Sequence, residues 1–129
     1  MKSLVVTLIA VLSLTFSNAQ NEDVLLGRWK ADYTEDNETF SVIYEFKKDK
    51  GKLKCYSVFI EIENERSDYK SLAMYKIVFN GVKGIANYTY KENNEDFTMR
   101  TKLRLKDKNT LNLNYSYWGY TGKETWHRL

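Results

Sequence analysis

Phe97-Thr98-Met99-Arg100-Thr101-Lys102-Leu103-Arg104-Leu105-Lys106 alternates at period two from end to end. Phe97, Met99, Thr101, Leu103 and Leu105 share one face, and Thr98, Arg100, Lys102, Arg104 and Lys106 share the other. Successive side chains of a strand point to opposite sides, so this is a strand with one buried and one wet face. A reversal follows at Asp107-Lys108-Asn109. The alternation then resumes with Leu111, Leu113, Tyr115 and Tyr117 against Asn112, Asn114 and Ser116. Upstream, Phe40, Val42, Tyr44 and Phe46 oppose Ser41, Glu45 and Lys47 in the same manner.

Turn chemistry falls between the runs, at Asp49-Lys50-Gly51, at residues 92–96 and around Gly119 and Gly122. Asn80-Gly81 predicts a tight hairpin with both residues at positive φ. Eight strands are predicted, near 25–33, 39–48, 52–62, 72–80, 82–91, 97–106, 110–117 and 123–128. The charged residues 63–71 predict the one long exposed loop. The chain contains no proline, no low-complexity linker and no repeat at a fixed period. Short reversals favour sequential antiparallel neighbours, and closing the sheet removes the edges that invite aggregation. The predicted fold is therefore all-β, an eight-stranded antiparallel up-and-down barrel, with a two-sheet β-sandwich as the alternative.

The two ends of the chain answer each other. Gly27-Arg28-Trp29 opens the first strand and Trp126-His127-Arg128 closes the last. First and last strands are neighbours in a barrel, so an arginine from one end can lie over an indole from the other. A Gly-x-Trp on the first of eight strands, with a late basic residue, resembles the lipocalin-like (calycin) barrels. The closing run Glu124-Thr125-Trp126-His127-Arg128-Leu129 is similar to the ends of small lipocalin-like secreted bacterial proteins. That resemblance implies barrel-closing roles for Gly27, Trp29 and Arg128. It also implies that the barrel binds a small molecule. The chain departs from larger lipocalins in being shorter and in lacking a disulfide.

Residues 1–19 predict a removable export signal: Lys2, an apolar stretch over 4–16, then Ser17-Asn18-Ala19 at the cleavage site. The apolar stretch is too short for a membrane span, so a secreted or periplasmic protein is expected. The predicted domain, residues 20–129, carries 19 basic and 17 acidic side chains. A net charge that small does not by itself point to a polyanion partner, and no nucleic-acid partner is expected. Cys55 is the only cysteine and reads as a small buried hydrophobe, so no disulfide supports the core.

Catalytic and metal chemistry find little to use. His127 is the only histidine, and beside one cysteine it cannot make a zinc site or a standard triad. No catalytic residue, metal ligand or cofactor is predicted. A ligand pocket is expected where small residues leave space, between a wall with Gly84 and Ala86 and a wall with Cys55 and Ser57. Its predicted lining is Phe46, Phe59, Ala86, Tyr88 and Tyr115. The expected function is non-catalytic binding of a small apolar or amphipathic molecule. The alternative is a solid-core barrel that binds an envelope protein or anionic polymer through its outer surface. Arg100, Lys102, Arg104 and Lys106, with the lysines of 47–54, are then expected to form one positive wall.

Overall fold

A computed structural model describes residues 21–129, apart from the side chains of Glu92 and Tyr117. The expected signal over 1–19 lies outside the described residues. A short 3-10 turn, Asp23–Leu25, leads into eight strands. They are β1 (Gly27–Glu35), β2 (Glu38–Asp49), β3 (Lys52–Ile62), β4 (Glu65–Phe79), β5 (Lys83–Glu92), β6 (Glu95–Asp107), β7 (Thr110–Tyr117) and β8 (Tyr120–Arg128). Each pairs antiparallel with the next, and β8 pairs with β1 to close the barrel. The predicted up-and-down barrel is the observed fold, and the sandwich is not.

Alternate hairpins define two ends. At one end lie Asp36-Asn37, Glu63-Asn64, Asn93-Asn94 and Trp118-Gly119, and all eight residues hold positive φ. Two-residue turns of that kind match the twist of the flanking strands. This end is the mouth. At the other end, the base, Lys50 and Gly51 also take positive φ, but at Asn80-Gly81 only Gly81 does. The Asn80 side-chain oxygen accepts from the Val82 and Lys83 N–H groups at 3.0 and 2.9 Å, which moves the reversal one residue along.

The expected loop at 63–71 is a second difference. Only Glu63 and Asn64 turn, and residues 65–71 extend β4 in register with β3, Ile62 opposite Glu65 and Phe59 opposite Asp68. Residues 65–70 are exposed, so they lack the one-sided apolar pattern that marks a strand in sequence.

The base is solid. Leu25 from the 3-10 turn plugs it and accepts a 2.9 Å hydrogen bond from Trp29 Nε1 through its carbonyl oxygen. Trp29, Phe46, Cys55, Met74, Ala86, Leu103, Leu111, Leu113 and Trp126 are all buried around that plug. Arg128 lies across the seam with its guanidinium 4.2 Å from the Trp29 ring centre. It donates to the carbonyls of Leu26 and Lys108, each at 3.0 Å, and to that of Val24. A planar fork with five donors suits such a crossing of three chain segments.

The mouth is built differently. Strand pairing reaches the mouth turns within β1–β4, within β5–β6 and within β7–β8. Between those groups it stops lower down, at Met74 opposite Tyr88, Thr101 opposite Tyr115, and Lys30 opposite His127. A closed base therefore carries a four-stranded leaf and two hairpin fingers.

Candidate functional site

A cavity of about 860 Å³ lies between the leaf and the fingers. Pockets of roughly 300–1,000 Å³ are the usual size for small-molecule sites. Its floor is aromatic: Tyr44 stacks on Trp126 with centroids 3.9 Å apart and planes 6° from parallel, and Tyr88 meets the same indole edge-on. Phe40, Val42, Ile60, Leu72 and Met99 make the walls apolar. Two matching hairpins stand across the barrel from each other. Tyr33 stacks on Phe40 at 5.5 Å, and Tyr90 stacks on Phe97 at 5.4 Å. Both pairs are directly opposite in register, which lets cross-strand rings meet.

One carboxylate sits at the floor. Glu124 Oε1 accepts hydrogen bonds from the Tyr33 hydroxyl, from Tyr88 at 3.2 Å and from Trp126 Nε1 at 3.1 Å. Tyr115 is within reach of the same carboxylate. Tyr44 bonds to the Tyr33 and Tyr88 hydroxyls at 2.8 and 3.2 Å, extending the network. Tyr33 and Glu124 thus bridge β1 and β8 above the point where their backbones part.

Burial pushes the Tyr33 hydroxyl well above the ordinary tyrosine value, and neighbouring Tyr44 and Glu124 raise it further. Tyr44 and Tyr88 are raised chiefly by burial as well, and Tyr115 by burial and then by Glu124. These hydroxyls stay neutral donors across the physiological range. Among the described residues no lysine or arginine pairs with Glu124. Gly122 makes room for the Tyr115 ring, because a Cβ there would run into it.

Of the expected pocket lining, Tyr88 and Tyr115 reach the cavity. Phe46 and Ala86 lie below the floor, in the solid base. Phe59 lies outside the barrel between Arg28 and Arg66, its ring centre 5.3 and 4.8 Å from their guanidinium carbons. The reason is a β-bulge at Val58: Tyr44 pairs with Ser57 and the adjacent Ile43 with Phe59, so one extra residue on β3 inverts the alternation. Leu53, Cys55 and Ser57 are buried, and then Ile60 rather than Phe59 faces the cavity. The small residues Cys55 and Ala86 are fully buried in one core cluster with Trp29, Met74 and Trp126. Gly27, Trp29 and Arg128 meet at the base seam, where a Cβ on Gly27 would lie 3.6 Å from Arg128 Nη1.

Cys55 is wholly buried and burial pushes its thiol up, so it packs as a small hydrophobe. His127 is exposed on the last strand. Among the described residues no group of three His, Cys, Asp or Glu side chains is placed to hold a metal. No described helix is long and apolar enough to cross a membrane. The expected single positive wall is not formed. Residues 100–106 lie on β6 and the lysines of 47–54 on β2 and β3, on opposite sides of the barrel.

Charge is sorted along the barrel axis instead. The mouth turns carry exposed Glu35, Asp36, Glu38, Glu63, Glu65 and Glu95, while Lys50, Lys52, Lys83, Arg104 and Lys108 ring the base. The mouth also has a sequence signal that a search for fixed-period repeats misses. Tyr33-Thr34-Glu35-Asp36-Asn37-Glu38-Thr39-Phe40 and Tyr90-Lys91-Glu92-Asn93-Asn94-Glu95-Asp96-Phe97 are related octapeptides, identical at five of eight positions. Glu63-Asn64-Glu65 repeats the Asn-Glu of their turns.

No family model matches this chain, nor does any curated protein or solved structure.

Proposed function

We propose that this is an exported, lipocalin-like binding protein that takes up a small apolar or amphipathic molecule and performs no chemistry on it. The observation that carries this reading is the 860 Å³ cavity with aromatic and aliphatic walls over a floor of tyrosine hydroxyls. Apolar walls with a few convergent polar groups are what a small-molecule site requires, the walls for burial and the polar groups for orientation. The Gly27, Trp29 and Arg128 cluster supports the lipocalin-like kinship, since it matches the base seam that the sequence resemblance implies. Recognition through the outer surface has less support, because the basic residues of β6 and of the β2–β3 hairpin do not share a face.

Native mass spectrometry on the protein from its host's extracytoplasmic fraction, with dye binding in parallel, tests the reading. A discrete adduct that leaves on denaturation, or an apolar dye displaced by a long-chain amphiphile, is the expected result. A bare polypeptide that also takes up no dye would overturn it.

A further inference from the structure

The cavity holds a carboxyl group that no lysine or arginine pairs with among the described residues. Its polar floor converges on Glu124, whose Oε1 receives three hydrogen bonds, all from neutral groups. Tyr115 reaches the same carboxylate, and it too is a neutral group that supplies no positive charge. Among the described residues Lys91 is the one basic residue lining the cavity, and it is exposed at the rim with no ion pair to the floor. Arg66, the nearest mouth arginine in sequence to the β3–β4 turn, is engaged by Glu61. Around the carboxylate converge the hydroxyls of Tyr33, Tyr88 and Tyr115, with that of Tyr44 one hydrogen bond further away. Above it the walls are apolar, and outside them the rim is acidic.

We propose that the ligand is an organic cation, an ammonium head on an apolar body, seated head-down with its charge against Glu124 and the floor tyrosines. This deepens the reading of the cavity as a ligand site and rests on it. A neutral ligand would leave the carboxylate uncompensated in a half-buried site, and a fatty acid would set a second carboxylate against it. A primary ammonium brings the positive charge that the surrounding tyrosines and Trp126 lack, with N–H donors for the carboxylate. The acidic turns contribute at longer range. They draw cations toward the mouth while the basic base does not compete, so capture of the charged ligand is faster at low salt.

Three probes of equal chain length separate the possibilities: decylammonium, decanol and decanoate, each titrated at neutral pH into the mature protein below its micelle concentration. The cation should bind at least about tenfold more tightly than either competitor, the factor that roughly 1.4 kcal/mol of charge-assisted contact provides. Glu124→Gln, which keeps the shape and removes the charge, should bring the cation down to the level of decanol. If that variant does not fold, the ranking of the three probes on the unaltered protein decides alone. Decanol or decanoate binding as tightly as the cation would overturn the charge assignment and leave the cavity reading standing. A preference for the cation that survives Glu124→Gln would overturn Glu124 as its seat. Binding of none of the three would sink this inference and the cavity reading together.

Discussion

The Arg128 guanidinium covers the Trp29 ring at 4.2 Å, so the last strand locks the first across the barrel base. The same side chain donates to three backbone carbonyls from the N-terminal turn and the β6–β7 reversal. Lysine has the charge but not the fork. Arg128→Lys should lower unfolding stability by about 1–3 kcal/mol. Trp29→Ala, which empties the site beneath, should cost about 3–5 kcal/mol. Urea unfolding measures both, and a Trp29 loss below about 1 kcal/mol would contradict its burial in the base.

Ala73 and Ala86 are both buried small residues at different heights. Ala73 lines the cavity, and Ala86 lies in the filled base beneath it. Ala73→Phe should reduce dye uptake severalfold with little change in stability. Ala86→Phe should destabilise the barrel by about 1–3 kcal/mol, because a packed core has no room for the ring. Parallel dye titration and urea unfolding separate the two effects. Equal behaviour of the two variants would contradict the placement of the floor.

Thr101 is buried on the inner face of β6, and its hydroxyl has no hydrogen-bond partner among the described residues. Thr101→Val keeps the shape and removes the unsatisfied group. Stability should rise by about 1 kcal/mol. A fall in the midpoint of urea unfolding would show that the hydroxyl is bonded in solution.

Tyr33, Tyr44, Tyr88 and Tyr115 are four of the ten tyrosines, and all four are held above the ordinary value. The folded protein keeps these protons at pH values where the unfolded chain releases them. Stability from this source is complete below about pH 10, the free tyrosine value, and falls as the pH rises beyond it. Phenolate absorbance should therefore show a fraction of tyrosines that ionise only as the barrel unfolds. Smooth titration of all ten in the native state would contradict the network.

Strand existence and closure were legible because both are written locally, in period-two alternation and turn residues. The face assignment failed where one residue was added. Nothing in Ser57-Val58-Phe59 marks a bulge, yet the positions on β3 after it change sides because of it. The upper part of β4 was illegible for the opposite reason, since a ribbon that rises past the core is polar on both sides. Glu124 was within reach. It shares a face with Trp126 two residues on, and an acidic residue in phase with a buried indole is a signal of an interior charge. The related octapeptides of the two aromatic hairpins were also visible, but they sit four strands apart rather than in tandem.

The division between an unbroken lower ladder and separate upper groups means that stability and recognition occupy different storeys of the molecule. A barrel paired to its rim has a bore fixed by strand number and stagger. Here the leaf and the fingers are joined above the lower ladder by side chains such as Tyr33, Tyr88 and Glu124 rather than by backbone pairing. Substitutions above Tyr44 and Tyr88 can therefore reshape the bore with little loss of folding free energy, which makes this architecture adaptable to new cargo by exchange of its hairpins.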